Sequence, residues 1–124
     1  RLPVSILGDG DLLMGSQALW TAAAEKLPAL FIVNNNQSFY NDVEHQETVA
    51  RRRNRPVENK TIGMAITDPP VDLVGLARSH GLTAFGPVRD CADLDVVVEQ
   101  AFRAAEAGAT VLVDVATLPP PPRA

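Results

Sequence analysis

The stretch LGDGDLLMGSQALWTAAAEKLPALFIVNNNQSFYND, residues 7–42, decides how the rest of the chain is read. It begins at the end of a short apolar run, residues 4–7, which glycine stops as it would a buried strand. From position 12 to about 27, Leu12, Leu13, Leu19, Trp20, Ala23, Ala24 and Leu27 recur at helical spacing in an Ala- and Leu-rich segment. Pro28 ends that helix, and ALFIV, residues 29–33, makes a second buried strand. Two apolar strands joined by a helix suit a parallel crossover. Both strands run into polar residues: Gly8-Asp9-Gly10 after the first, Asn34-Asn35-Asn36 after the second. Such groups are costly to bury at the ends of core strands unless something binds there.

Downstream, residues 34–70 are polar and weakly periodic, as functional or disordered stretches are, with a short helix expected around 43–53. VDLVGLARSHGL, residues 71–82, reads as an amphipathic helix closed by Gly81. TAFGPV is a brief third strand. CADLDVVVEQAFRAAEAG is a further helix, with Asp90 or Asp93 as its cap and Gly108 as its stop, and TVLVDVAT is a β-branched fourth strand. The order β-α-β-loop-α-β-α-β predicts an α/β fold: an open, mainly parallel sheet flanked by helices, in one domain.

Composition narrows the function classes. With 124 residues, 46% hydrophobic and 21% charged, the chain is globular in type and long enough for a modest core. A net charge of −4 gives no global attraction to nucleic acid or anionic membranes. No apolar run approaches the roughly 20 residues of a membrane span. The single cysteine, Cys91, precludes an internal disulfide and fits a reducing, cytoplasmic setting; it reads as a small helix-entry residue rather than a nucleophile. The chain opens almost directly on a strand without a leading Met and closes on the proline run of TLPPPPRA. We therefore expect the tail end of a longer protein, cut at its start.

In an open parallel sheet, ligands bind beyond the carboxyl ends of the strands. The glycines beside Asp9 permit a tight turn and close backbone approach. The helix that follows offers free N–H groups and a positive dipole end, suited to phosphate. Asp9 conflicts with bare phosphate, and a hard divalent cation between them removes the conflict. Mg²⁺ takes oxygen ligands, commonly one or two carboxylates with phosphate oxygens and water. An amide oxygen from the asparagines suits as the neutral partner. The plain readings stay open beside this one: a turn and helix cap at Gly8-Asp9-Gly10, and a turn at the asparagines. The Gly-x-Gly-x-x-Gly and Walker patterns are both missing.

Gly-Asp-Gly, a helix, a Pro-led apolar strand and Asn-Asn about thirty residues on resemble the thiamine diphosphate motif. ALWTAAAEKLPALFIVNNN is similar to benzoylformate decarboxylases and acetolactate synthases, within the 2-oxoacid decarboxylase group. The detailed match covers residues 4–40, and Asp9 and Asn36 stand 27 positions apart, the family's interval between side-chain metal ligands. The resemblance implies that the chain is most of a C-terminal diphosphate-binding domain, with the pyrimidine-binding and middle domains outside it. It implies Mg²⁺ held by Asp9, Asn36 and the Ser38 backbone carbonyl. Gly8, Gly10, Asp11 and Phe39 join these around the cofactor, and Asn35 orients the loop. A register with Asn35 as ligand stays open, because three asparagines occur here instead of two. Two residues depart from the pattern: Asp11, where the family is commonly small or hydroxylic, and Gln37, where it often has glycine.

The same resemblance implies a 2-oxo acid substrate and no catalytic residue in this chain, since the activating glutamate comes from the missing domain, usually across a subunit interface. A homodimer or homotetramer follows, and an isolated chain without turnover. Acetolactate synthase-like chemistry comes first, a benzoylformate decarboxylase-like enzyme second, and a non-catalytic interaction module with a relic motif third. Phe39 and Tyr40 either line the pocket or pack under the loop. Arg51, Arg52, Arg53 and Arg55 form either a solvated face or a contact with the missing domain or an anionic substrate. His45 lies on the long loop, within possible reach of the site. His80, before Gly81, reads as a helix C-terminal residue favoured by the dipole.

Overall fold

The computed structural model describes residues 1–118; the proline run expected to end the chain lies outside them. Four strands, β1 (Val4–Gly8), β2 (Ala29–Asn35), β3 (Thr83–Val88) and β4 (Thr110–Ala116), form one sheet in the order β1-β2-β4-β3. Every neighbouring pair is parallel, with Leu7 opposite Val33 and Val33 opposite Asp114. The helices are α1 (Asp9–Met14), α2 (Gln17–Ala24), α3 (Tyr40–Arg52), α4 (Leu73–Ser79) and α5 (Cys91–Glu106), with a 3₁₀ turn at Glu58–Thr61.

Two apolar layers sandwich the sheet. On one face Leu12 and Leu19 from α1 and α2, and Leu73, Val74 and Ala77 from α4, pack on Val33, Ala84 and Leu112. On the other face Ala101 and Ala105 of α5 pack on Leu30, Val88, Val111 and Val113. The two faces follow from connectivity. The chain passes over β4 on its way from β2 to β3, then returns to it through α5 on the opposite side. That reversal opens a crevice beyond the carboxyl ends of β2, β4 and β3, where an α/β sheet places its ligands.

The expected helix over 12–27 is two helices. Glycine is a poor helix former, and at Gly15 the chain leaves α-helical geometry: bonds from Gly15 to Leu12, Ala18 to Gly15 and Leu19 to Ser16 each span three residues. α1 also starts earlier than expected, at Asp9 itself. α2 ends in a Schellman motif before Pro28 is reached. Lys26, at φ 52°, donates to Ala23 O, and Leu27 donates to Ala22 O. Gly81 and Gly108 close α4 and α5 in the same way, as expected of them.

α4 is shorter than the expected 71–82 because Asp72 caps it, its Oδ1 accepting the Gly75 N–H at 2.8 Å. α3 begins at Tyr40 rather than 43, and only Val43 of it is buried. Asp90, not Asp93, caps α5, accepting the Ala92 N–H at 2.9 Å. Removing that acceptor in Asp90→Ala should cost about 1 kcal/mol. Hydrogen exchange should show it as roughly fivefold faster exchange in the first turn of α5 alone. Cys91 is exposed at the start of α5, a helix-entry position. Among the described residues no helix is long and apolar enough to cross a membrane.

Candidate functional site

Parallel pairing sets Gly8 beside Asn34 at one sheet edge, so both polar strand ends meet there. β1 passes into α1 without a loop: Gly8 is extended and Asp9 is already helical. This turns the Asp9 side chain inward, where it is 2% exposed. Burial pushes its pKa above the ordinary 3.8, against the opposing pull of the N–H groups of Gly10, Asp9, Gln37 and Ser38. Its Oδ2 is buried without a hydrogen-bond partner. Asp11 is exposed, and its carboxylate folds back to accept the Gly8 N–H at 3.4 Å. α1 has six residues, so its dipole is weaker than that of the long helix expected from sequence.

The chain after β2 arches over Asp9. Asn36 Oδ1 accepts the Ser38 N–H at 3.0 Å, and Asn35 Oδ1 accepts the Gln37 N–H at 3.3 Å. Gln37 stands at φ 56°, a left-handed conformation uncommon outside glycine. Two bonds hold the arch: Phe39 N–H to Met64 O at 2.9 Å, and Ile66 N–H to Gln37 O at 2.8 Å. They straddle the Ser38–Ala65 bridge, so the Ser38 carbonyl takes no part in them. The Phe39 ring lies against Gly10 so closely that a Cβ there would sit 2.5 Å from two ring carbons. Helix start and arch are thus one packed unit.

The arrangement fits a hard cation. It offers an orphaned, buried carboxylate oxygen, an amide oxygen at Asn36 and a carbonyl at Ser38, all oxygen donors of the kind Mg²⁺ takes. No cluster of three His, Cys, Asp or Glu side chains competes for the metal among the described residues. Asn35 differs from Asn36 in its commitments. Its Nδ2 donates to Asp114 at 3.0 Å, and its Oδ1 faces the Gln37 N–H.

Other candidates lie elsewhere. Tyr40 and His45 line an open groove of ≈510 Å³ between α3 and the 3₁₀ turn, with Arg51 and Lys60, and neither Asp9 nor Asn36 lines it. Glu47 holds Arg51 at 2.6 Å and also pairs with Lys60. Arg52, Arg53 and Arg55 are exposed. His80 caps α4, its Nδ1 donating to Leu76 O at 2.9 Å.

One site residue escaped the sequence reading: Asp114, 3% exposed near the end of β4. Burial raises its pKa, opposed by the Asn35 amide and Arg89 and reinforced by Asp9 and Asp72. A lone acid inside TVLVDV is the signal that marks it.

Residues 1–115 match the family model of the thiamine pyrophosphate enzyme, C-terminal TPP binding domain. Among solved structures, a thiamine diphosphate-dependent 4-hydroxybenzoylformate decarboxylase of Rhodococcus jostii RHA1 is similar, with a TM-score of 0.68 and 28% identity. That match covers 95% of this chain and 20% of the other. A Mycobacterium smegmatis protein described as a thiamin diphosphate-dependent enzyme gives a TM-score of 0.67 and 26% identity, over 96% of this chain and 18% of the other. The chain thus spans about a fifth of the length of these structures. With a parallel α/β sheet, a buried acid at the end of β1 and an asparagine arch above it, the chain belongs to the thiamine pyrophosphate enzyme family, as its C-terminal TPP-binding domain.

Proposed function

We propose that this chain is the diphosphate- and Mg²⁺-binding domain of an enzyme that decarboxylates 2-oxo acids and then transfers or releases the aldehyde unit. The observation that carries the reading is Asp9 Oδ2, a buried carboxylate oxygen left without a protein partner beneath the asparagine arch. Unpaired charge is expensive to bury and is kept where a cation completes it. Asp9, Asn36 and the Ser38 carbonyl hold Mg²⁺. Both amide oxygens accept a loop N–H, and Asn36 is favoured over Asn35 because Asp114 additionally holds the Asn35 amide by its Nδ2. Gly8 lets the diphosphate approach the backbone at the start of α1, and Gly10 lets the Phe39 ring pack against the helix start beside it. Asp11 stands aside, occupied by the Gly8 N–H.

Thiamine diphosphate, when bound, supplies the electron sink that lets a 2-oxo acid lose CO₂. This chain's share is to anchor and orient the group and to keep water from the metal loop. The activating carboxylate comes from the pyrimidine-binding domain of the same or a neighbouring subunit, and the working unit we propose is a cytoplasmic homodimer or homotetramer. The chain alone should show no turnover. The acetolactate synthase-like pattern points to transfer of the aldehyde unit. Similarity to a decarboxylase at 28% identity supports release.

Calorimetric titration of the full-length protein with thiamine diphosphate, with and without Mg²⁺, tests the anchor. Saturable binding that requires Mg²⁺ is expected; no binding in either condition would sink the proposal. Turnover of benzoylformate and pyruvate, with aldehyde and carboligation product both assayed, then separates lyase from transferase.

A further inference from the structure

Asp114 is a puzzle by burial alone. The preceding β4 residues Thr110, Val111, Leu112 and Val113 are buried and uncharged, as an interior strand should be. An acid in this position costs desolvation that an apolar side chain would avoid. Strand alternation puts Asp114 on the face of Leu112, and Asn35 on the face of Val33. This is the face covered by α1, α2 and α4, and Asp9 opens α1 on it. Asn35 therefore stands near both carboxylates: it bonds Asp114, and it lines with Asp9 and Gln37 a cavity of ≈10 Å³. Burial pushes the Asp114 pKa up, and the Asn35 amide and Arg89, which line with it a crevice of ≈340 Å³, oppose that shift.

A primary amide offers two chemically different ends. An ionised carboxylate accepts hydrogen bonds and donates none, so it admits only the NH₂ end. With Nδ2 directed to Asp114, Oδ1 must turn the other way, where it accepts the Gln37 N–H. Gln37 is the residue held at φ 56°, and the two residues flanking it are Asn36 and Ser38. The bonds run as one path from Asp114 through Asn35 to the strained residue between the proposed metal ligands.

We infer that Asp114 is a positioning residue: by fixing which end of the Asn35 amide faces Gln37, it sets the pose of the Asn36–Ser38 metal loop, an inference that rests on the metal-site reading above. A neutral partner at position 114 leaves either end of the amide free to face it. The loop then samples poses in which Asn36 and Ser38 no longer converge with Asp9.

The test uses full-length protein stripped of metal, with Mg²⁺ titrated calorimetrically in the presence of thiamine diphosphate. Asp114→Asn keeps the size and one acceptor but not the selectivity, and its Mg²⁺ Kd should rise about tenfold, the low end of the loss seen when a ligand's own partner is removed, because Asp114 acts through Asn35 and Gln37. Asn35→Ala should give a similar rise. The double variant should be no weaker than the worse single, because both changes cut one path. The metal-free melting temperature of Asp114→Asn should not fall. An unchanged Kd for Asp114→Asn overturns the inference, with or without a lower melting temperature. So do rises that multiply in the double variant. If Asp114→Asn does not fold, Asn35→Ala decides alone, and a wild-type Kd there overturns it. Wild-type protein that binds no Mg²⁺ with thiamine diphosphate removes the cofactor reading and this inference together, whereas a binding wild type with indifferent variants removes only the inference.

Discussion

Asp9→Asn should abolish Mg²⁺-dependent binding of thiamine diphosphate while making the metal-free protein more stable. The variant keeps the shape of the side chain and an oxygen for the N–H groups of Gly10, Gln37 and Ser38. It loses the charge that a hard cation needs. Loss of a residue behind a metal ligand commonly costs 10- to 100-fold in affinity, so loss of the ligand itself should cost at least roughly 100-fold. Binding with Mg²⁺ should fall to the level seen without it. In the metal-free state the same change removes a buried charge with an unpartnered oxygen, and stability should rise by about 1 kcal/mol. Calorimetry and thermal melting of the stripped protein read the two effects separately. Retained Mg²⁺-dependent binding would remove Asp9 from the ligand set.

The sign of the pH dependence gives a second check on the same variant. Burial raises the folded-state pKa of Asp9 above the ordinary 3.8. A carboxyl raised in this way contributes stability that is fully present below its unfolded pKa and is lost as pH rises through its folded pKa. Metal-free wild type therefore gives up this contribution in a window that opens near 3.8 and extends upward. The stability advantage of Asp9→Asn should be present at pH 7 and shrink towards pH 4. Asp114 is raised for the same chief reason, and the Asp9 charge adds to that shift, so relief of Asp114 forms part of the Asp9→Asn advantage and has the same sign. An advantage that stays constant from pH 7 to pH 4 would mean that the Asp9 charge is not what burial penalises.

Much of this architecture was legible because local signals agreed. The β-branched runs became strands, Gly81 and Gly108 closed their helices, and Asp90 capped α5. Where the reading departed, one interaction outweighed periodicity. The apolar spacing of 12–27 continues across Gly15, but backbone geometry there breaks the helix. α3 carries little apolar signal because it buries only Val43 and leans on the 3₁₀ turn instead, through Glu47 and Lys60. The elements of the site were visible as two polar strand ends. Their mutual placement was legible only in part, because Asp114 and Asn35 lie 79 residues apart. Their contact depends on β4 inserting between β2 and β3, and strand order is a property of the whole sheet. The orphaned oxygen of Asp9 likewise has no sequence signature, since it is defined by what surrounds it.

Gly10→Ala should damage the site by steric means, with every proposed ligand still present. Gly10 has an ordinary helical role in α1, so no special backbone angle demands glycine there. The demand comes from Phe39, whose ring carbons would lie 2.5 Å from an added Cβ. That is well inside contact distance, so ring or helix must move. Phe39 immediately precedes α3 and adjoins Ser38, and its N–H is tied to Met64 O at 2.9 Å. The ring cannot withdraw far without lifting the end of the arch that carries the Ser38 carbonyl. Overpacking of this kind costs about 2 kcal/mol. Part of that should appear as lost stability, and the displaced arch as a rise of more than tenfold in the Kd for thiamine diphosphate with Mg²⁺. Phe39→Leu in the same chain makes room for the methyl group and should recover at least part of the affinity. Recovery would show that Gly10 serves the close approach of the arch to the helix start. Wild-type affinity in Gly10→Ala alone would mean that the arch adjusts freely, and that the Gly10–Phe39 contact contributes packing and nothing to the metal loop.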